Sequence, residues 1–200
     1  NVSLPRAVAL DLLNSIFIKK QTLDQATLCC QAFDDLTTPD RAFSRLLTVT
    51  VIRRAGQIDN VIQCFLKTGM PKNELEFKNI LRLACAEILF LGGKHYAAVD
   101  SAVTLVEAKK LPHLKGLTNA VLRRLANEGE KILKSVPVCL NYPKWLIDSW
   151  ISYYGAEKAG KIFEICVQEP KLDISVKSDP SYWAERLDGQ VLANGSIRRK

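Results

Sequence analysis

Three sets of residues in this chain could do chemistry: six cysteines, two histidines and a series of paired cations. The cysteines (Cys29, Cys30, Cys64, Cys85, Cys139 and Cys166) show no Cys-x-x-Cys spacing and no grouping with His95 or His113, so no metal site is expected. A nucleophilic thiol needs a neighbouring base or cation to hold it as thiolate. Cys29-Cys30 falls on a predicted helix without one, and Val136-Pro137-Val138-Cys139 reads as linker. Reduced, mostly buried thiols in a cytoplasmic protein are the expectation. The ten glycines form no Gly-rich turn after a strand, so no phosphate or dinucleotide cradle is predicted.

The cations are more suggestive. The net charge is +7, and most of the basic excess falls in residues 1–140. Such an excess favours a polyanionic partner through counterion release, and it also serves solubility. Arg53-Arg54, Lys109-Lys110, Lys115 and Arg123-Arg124 recur near predicted helix ends and turns, where arginine forks could hold a phosphate backbone. Arg53-Arg54, just ahead of Gly56, equally fits compensation of a helix dipole. Within Arg123-Arg124, one side chain is expected to face solvent and the other to pair with Asp100 or Glu107. Lys177, Arg198, Arg199 and Lys200 fall on predicted strands, where their tips could reach phosphate.

Helices must position most of these groups. Apolar spacing predicts helices over Pro5–Ile18 and Leu23–Leu36. Thr38 as N-cap and Pro39 at the first helical position open a third, which Gly56 should stop. Ile58–Leu66 then reads as a short separate helix. Ile80–Leu91 is apolar nearly all round and belongs at the centre of a bundle. It carries Arg82 and Glu87, and no apolar run approaches the roughly 18 residues that a bilayer span needs. Helices over Ala97–Lys109 and Lys115–Leu133 complete an all-α domain over residues 1–135, with Asn119 read as a buried polar clamp in preference to an RNA reader.

The grammar changes after Pro137. A helix opened by Asn141-Tyr142-Pro143 places Trp145, Trp150 and Tyr153 on one stripe read as facing a core or domain interface, with base stacking as the alternative; Tyr154 falls outside it, and the helix stops at Gly155. A second helix runs over Ala156–Gln168. Leu172, Ile174 and Val176 then alternate with polar residues as a strand. Asp179-Pro180 caps a short helix, and Gln190–Lys200 forms a strand or hairpin around Asn194-Gly195. The fold class is thus mainly α: a helical bundle followed by a small mixed α/β domain over 141–200.

Five signatures carry a family likeness: DRAF (Asp40–Phe43), IRR (Ile52–Arg54), LRL (Leu81–Leu83), AAV (Ala97–Val99) and NAVLRRL (Asn119–Leu125). With their order of helices, they resemble the NusB-like domain. That domain occurs alone as an antitermination factor, and at the front of bacterial ribosomal RNA cytosine-5 methyltransferases of the RsmB (Sun/Fmu) family. The stretch Pro143–Lys177 and the closing Gly195–Lys200 are similar to the part of those methyltransferases that precedes the catalytic domain. The resemblance implies an RNA-recognition fragment that captures and orients small-subunit ribosomal RNA. It implies S-adenosylmethionine and a catalytic cysteine for the parent protein, but no cofactor on these residues. A chain opening at Asn1 instead of Met is read as trimmed.

The resemblance further implies ribosomal RNA as partner, a ribosomal protein as a second candidate, no membrane, and a monomer. RNA contacts fall on Lys177, Arg198, Arg199, Lys200, Arg123, Arg124, Arg53, Arg54 and Lys115. The alternative is an antitermination factor that binds nascent RNA and a ribosomal protein. Two positions depart from the family pattern. Only Arg6 stands where an arginine-rich first helix is usual, and Asp173 stands in the strand that usually offers an arginine.

Overall fold

A computed structural model describes residues 3–66, 69–71 and 75–199. The chain divides into two compact units, Asn1–Ala159 and Gly160–Lys200. The division falls inside a helix and later than the 135–141 change of grammar, so residues 141–159 group with the bundle.

In the larger unit, α1 (Leu4–Phe17) starts with Pro5 in its first turn. It is shared between two apolar clusters. Ala9, Leu10 and Leu13 enter the main core, while Val8 and Leu12 pack with Ala26, Phe33 and Leu36. The single helix expected over Leu23–Leu36 is two short ones, α2 (Leu23–Leu28) and α3 (Gln31–Asp34). Thr22 and Gln25 form a reciprocal capping box at the start of α2. Near its end the Thr27 hydroxyl bonds back to the Leu23 and Asp24 carbonyls, and Cys30 leaves helical geometry.

The next element corrects the sequence reading most. Helix α4 runs unbroken over Thr38–Phe65, capped by Thr37, and passes straight through Gly56. A Cβ at Gly56 would lie 1.8 Å from the Leu140 carbonyl oxygen, so glycine here permits close approach and does not end the helix. The 3-10 turn Val138–Asn141 sits on that spot. Asn141 accepts from the Gln57 backbone N–H and donates to the Gln57 side-chain oxygen, both at 2.9 Å.

Helix α5 (Leu75–Phe90) is the central element, with Phe77, Ile80, Leu81, Cys85 and Ala86 fully buried. Its buried polar groups are paired. Glu87 holds Arg6 through both carboxylate oxygens. Arg82 forks onto Asp59 at 2.7 Å twice and donates to Asn79, which donates to Asn14. Helices α6 (His95–Ala108) and α7 (Lys115–Leu133) follow as predicted, linked by the 3-10 turn Pro112–Leu114. A connection this short makes them antiparallel neighbours.

Helix α8 (Lys144–Tyr154) ends at Gly155, whose φ is +78°. It buries no residue: Trp145 and Tyr153 are exposed, against the expected core stripe, and Trp150 is half-buried against Tyr142. Helix α9 (Ala156–Cys166) carries the division between the units.

In the smaller unit, β1 (Asp173–Ile174) is followed by α10 (Pro180–Arg186), capped by Asp179 as read from sequence. Strands β2 (Gly189–Val191) and β3 (Ile197–Arg199) form the expected hairpin. The sheet is antiparallel in the order β1–β3–β2, with fully buried Ile197 opposite both Ile174 and Val191. Among the described residues, no helix is long and apolar enough to cross a membrane.

Candidate nucleic-acid interface

The predicted cations divide sharply once placed. Arg53 and Arg54 lie in the middle of α4, so compensation of a C-terminal dipole does not explain them. Arg54 is half-buried: it donates to Gln57 at 3.1 Å and lies 4.8 Å over the Phe90 ring. Burial pulls its pKa down, opposed by Tyr142. Lys109 is tied to Asp11 and Glu76, and Lys115 to Glu107. Arg124 lies 5.2 Å over Phe65. Neither Arg123 nor Arg124 makes the expected pair with Asp100 or Glu107: Lys115 already holds Glu107, and Arg123 shares a groove with Asp100 without an ion pair.

Arg123 instead lines an open groove of about 1290 Å³ between α6 and α7. Tyr96, Val99, Asp100 and Val103 form one wall at helical spacing, and Lys115, Asn119 and Arg123 line the other. Asn119 is therefore not the expected clamp; it is half-buried, and among the described residues its side chain has no hydrogen-bond partner. The groove was missed in the sequence. Its signal was present in the 96, 99, 100, 103 and 115, 119, 123 spacings, which read equally well as ordinary amphipathic helices.

In the smaller unit Arg198 forks onto Asp173, both contacts at 2.7 Å. The hydrogen bond from Arg198 holds the Asp173 carboxyl below the usual range, and the same bond raises Arg198. The acid that departs from the family pattern is thus neutralised by its cross-strand neighbour. Lys177 is exposed on a bend after β1 instead of within a strand, and Arg199 is exposed at the end of β3. Lys200 lies outside the described residues.

Only Cys85 of the six thiols is buried, against the expectation of mostly buried ones. Burial drives the Cys85 pKa far upward, while Cys29, Cys64 and Cys166 are exposed and unpaired as disulfides. Among the described residues no group of His, Cys, Asp and Glu could hold a metal.

Comparison with known proteins fits this architecture. The NusB family model matches residues 3–127. A solved NusB from T. maritima superimposes with a TM-score of 0.55 at 20% identity, covering 66% of this chain and 95% of that one. A ribosomal RNA small subunit methyltransferase B from Thermus thermophilus is 34% identical over 120 residues, 58% of this chain and 27% of that protein. A probable one from Synechocystis is 26% identical over 149 residues, 70% and 33% of the two chains. Another from Xylella fastidiosa is 24% identical over 192 residues, or 94% of this chain and 43% of that protein. The chain thus matches about a third of the length of these curated relatives. It belongs to the NusB family.

Proposed function

We propose that this chain captures small-subunit ribosomal RNA and orients it for cytosine-5 methylation by a catalytic domain outside these residues. The observation that carries the reading is the run of relatives named ribosomal RNA small subunit methyltransferase B. One of them matches 192 residues, well beyond the 3–127 of the NusB region. An antitermination factor of the NusB kind gives no reason for likeness over the smaller unit. The state of Arg6 also disfavours that alternative. It is the only basic residue of α1, and Glu87 occupies its guanidinium.

In this reading phosphate contacts come from cations that pair with no carboxylate among the described residues: Arg123 in the groove, Lys177 and Arg199 in the smaller unit, with Arg53 as a further contact. Lys115, Arg124, Arg54 and Arg198 already have partners and act as supporting charge. S-adenosylmethionine is assigned to the catalytic domain. The three short strands here pair antiparallel, whereas such a cofactor sits at the strand ends of a parallel, doubly wound sheet. A base inside a duplex is out of reach of that chemistry, so the RNA delivered must be single-stranded or have its target extruded.

The test is binding of the 200-residue chain to a labelled pool of small-subunit rRNA helix–loops at two salt concentrations. Affinity should fall steeply with salt, and a Lys177→Glu/Arg199→Glu variant should bind more weakly at low salt. Absence of binding at low salt would overturn the proposal.

A further inference from the structure

We propose that the α6–α7 groove is a site for single-stranded RNA, in which one base stacks on Tyr96, its edge meets Asn119, and a flanking phosphate lies on Arg123. The inference rests on the RNA-capture reading and gives it a place and a mode.

Three side chains facing the groove lack what their chemistry wants. Tyr96 stands in the first turn of α6 with 70% of its surface exposed and, among the described residues, has no hydrogen-bond or ring partner. Exposed aromatic faces are the usual platforms for unstacked bases. Asn119 offers a donor and an acceptor that, among the described residues, no group uses and that solvent in the groove can reach. Arg123 is exposed and, among the described residues, pairs with no carboxylate. Arg6, Arg54, Arg82 and Arg124 all lie over aromatic rings. Asn119 and Arg123 are one turn apart, so a base edge and its phosphate meet adjacent groups on one wall. Val99 and Val103 give the apolar floor against which a base can lie.

The charge layout selects the occupant. Because α6 and α7 are antiparallel, the N-terminal end of one lies at each end of the groove. Neither α6 nor the Pro112–Leu133 stack has an acidic residue in its first turn or a side-chain cap. Each end also holds the C-terminus of the other helix, so the two dipoles largely cancel and side chains set the local charge. Lys115 and Arg123 put cations along one wall, a line that a strand carrying phosphates along its length can follow. Asp100 on the opposite wall keeps phosphate on the Arg123 side, and it can accept from an exocyclic amine of the base.

The experiment measures affinity of the 200-residue chain for a short unstructured oligoribonucleotide across a salt series, with an RNA duplex as control. Variants are Tyr96→Ala, Tyr96→Phe, Asn119→Ala and Arg123→Ala, each checked for an unchanged melting curve. Tyr96→Ala should lower affinity about 5- to 150-fold, as loss of one stacked base does, and leave the salt slope unchanged. Tyr96→Phe should bind like the parent. Arg123→Ala should reduce the salt slope by roughly 0.7, the share of one single-strand phosphate contact.

Normal binding by all groove variants, with loss in Lys177→Glu/Arg199→Glu, would overturn the groove site and leave RNA capture standing. No binding by the parent chain would overturn both. Groove variants that alter sedimentation of the chain but not RNA affinity would make the groove a self-association surface and overturn the proposal.

Discussion

Glu87 and Arg6 show what single residues contribute here. Glu87 is almost fully buried at the centre of the bundle, and among the described residues its only cationic partner comes from 81 positions earlier. The hydrogen bond to Glu87 raises the Arg6 pKa against the opposing effect of burial. Removing one partner of a buried pair strands the other charge, so Arg6→Ala should cost roughly 3–5 kcal/mol in urea unfolding. An Arg6→Met/Glu87→Leu double variant should recover most of that loss. If the single variant matched wild type, the pair would be idle. Asp59 sets the response to acid. Burial alone would raise its pKa, but hydrogen bonds and charge from Arg82 and Lys78 outweigh it and the carboxyl stays below its ordinary value. A depressed carboxyl contributes stability that is fully present above the unfolded value, about 3.9, and is lost as pH falls through the folded one. Unfolding free energy should therefore drop below about pH 4, and Asp59→Asn should be weaker at pH 7 with a shallower acid limb. A titration of stability against pH for both proteins checks the sign. None of these pairings was legible in the sequence, because each joins residues far apart in the chain.

Elements were legible where their ends carry local chemistry. Pro5 in the first turn of α1, Asp179-Pro180 at α10 and Gly155 after α8 act within a few residues, and the helices stop or start there. Gly56 misled for the complementary reason. Its purpose is a contact 84 positions away, where the Leu140 carbonyl occupies the space of a missing side chain. This gives a prediction whose sign is diagnostic. In an exposed helix Gly→Ala stabilises by about 1 kcal/mol. Here Gly56→Ala should destabilise by about 1–3 kcal/mol or more, because the new methyl group displaces the 138–141 turn. A lower melting temperature with unchanged helical circular dichroism is expected; a higher one would show the turn to be loosely seated. Helix α8 failed as a core stripe on the same principle. Helical spacing says which side chains share a face, but only the rest of the chain decides whether that face is covered. The α6–α7 groove is its mirror image, two ordinary amphipathic stripes that together leave a cleft.

At the scale of the whole molecule, the two units differ in how much they bury. The bundle holds nearly all the fully buried side chains, centred on α5. The sheet of the smaller unit is built on strands of two or three residues around Ile197. Local opening free energy follows buried apolar contact, so the two units should not open together. Hydrogen exchange followed by mass spectrometry should show α5 amides exchanging only through global unfolding, and β1, β2 and β3 amides exchanging far faster. Equal protection across both would mean that the chain unfolds as one cooperative body. The same measurement reports where RNA sits. A ligand that binds only the closed form adds about 2.7 kcal/mol to the opening free energy at a hundredfold excess over its Kd. Binding through Lys177 and Arg199 should slow exchange in the strands, and binding in the groove should slow it at the start of α6. Slowing in both units would show that each contributes to RNA binding. Slowing in the strands alone would leave the bundle as a brace and return the groove to an empty surface.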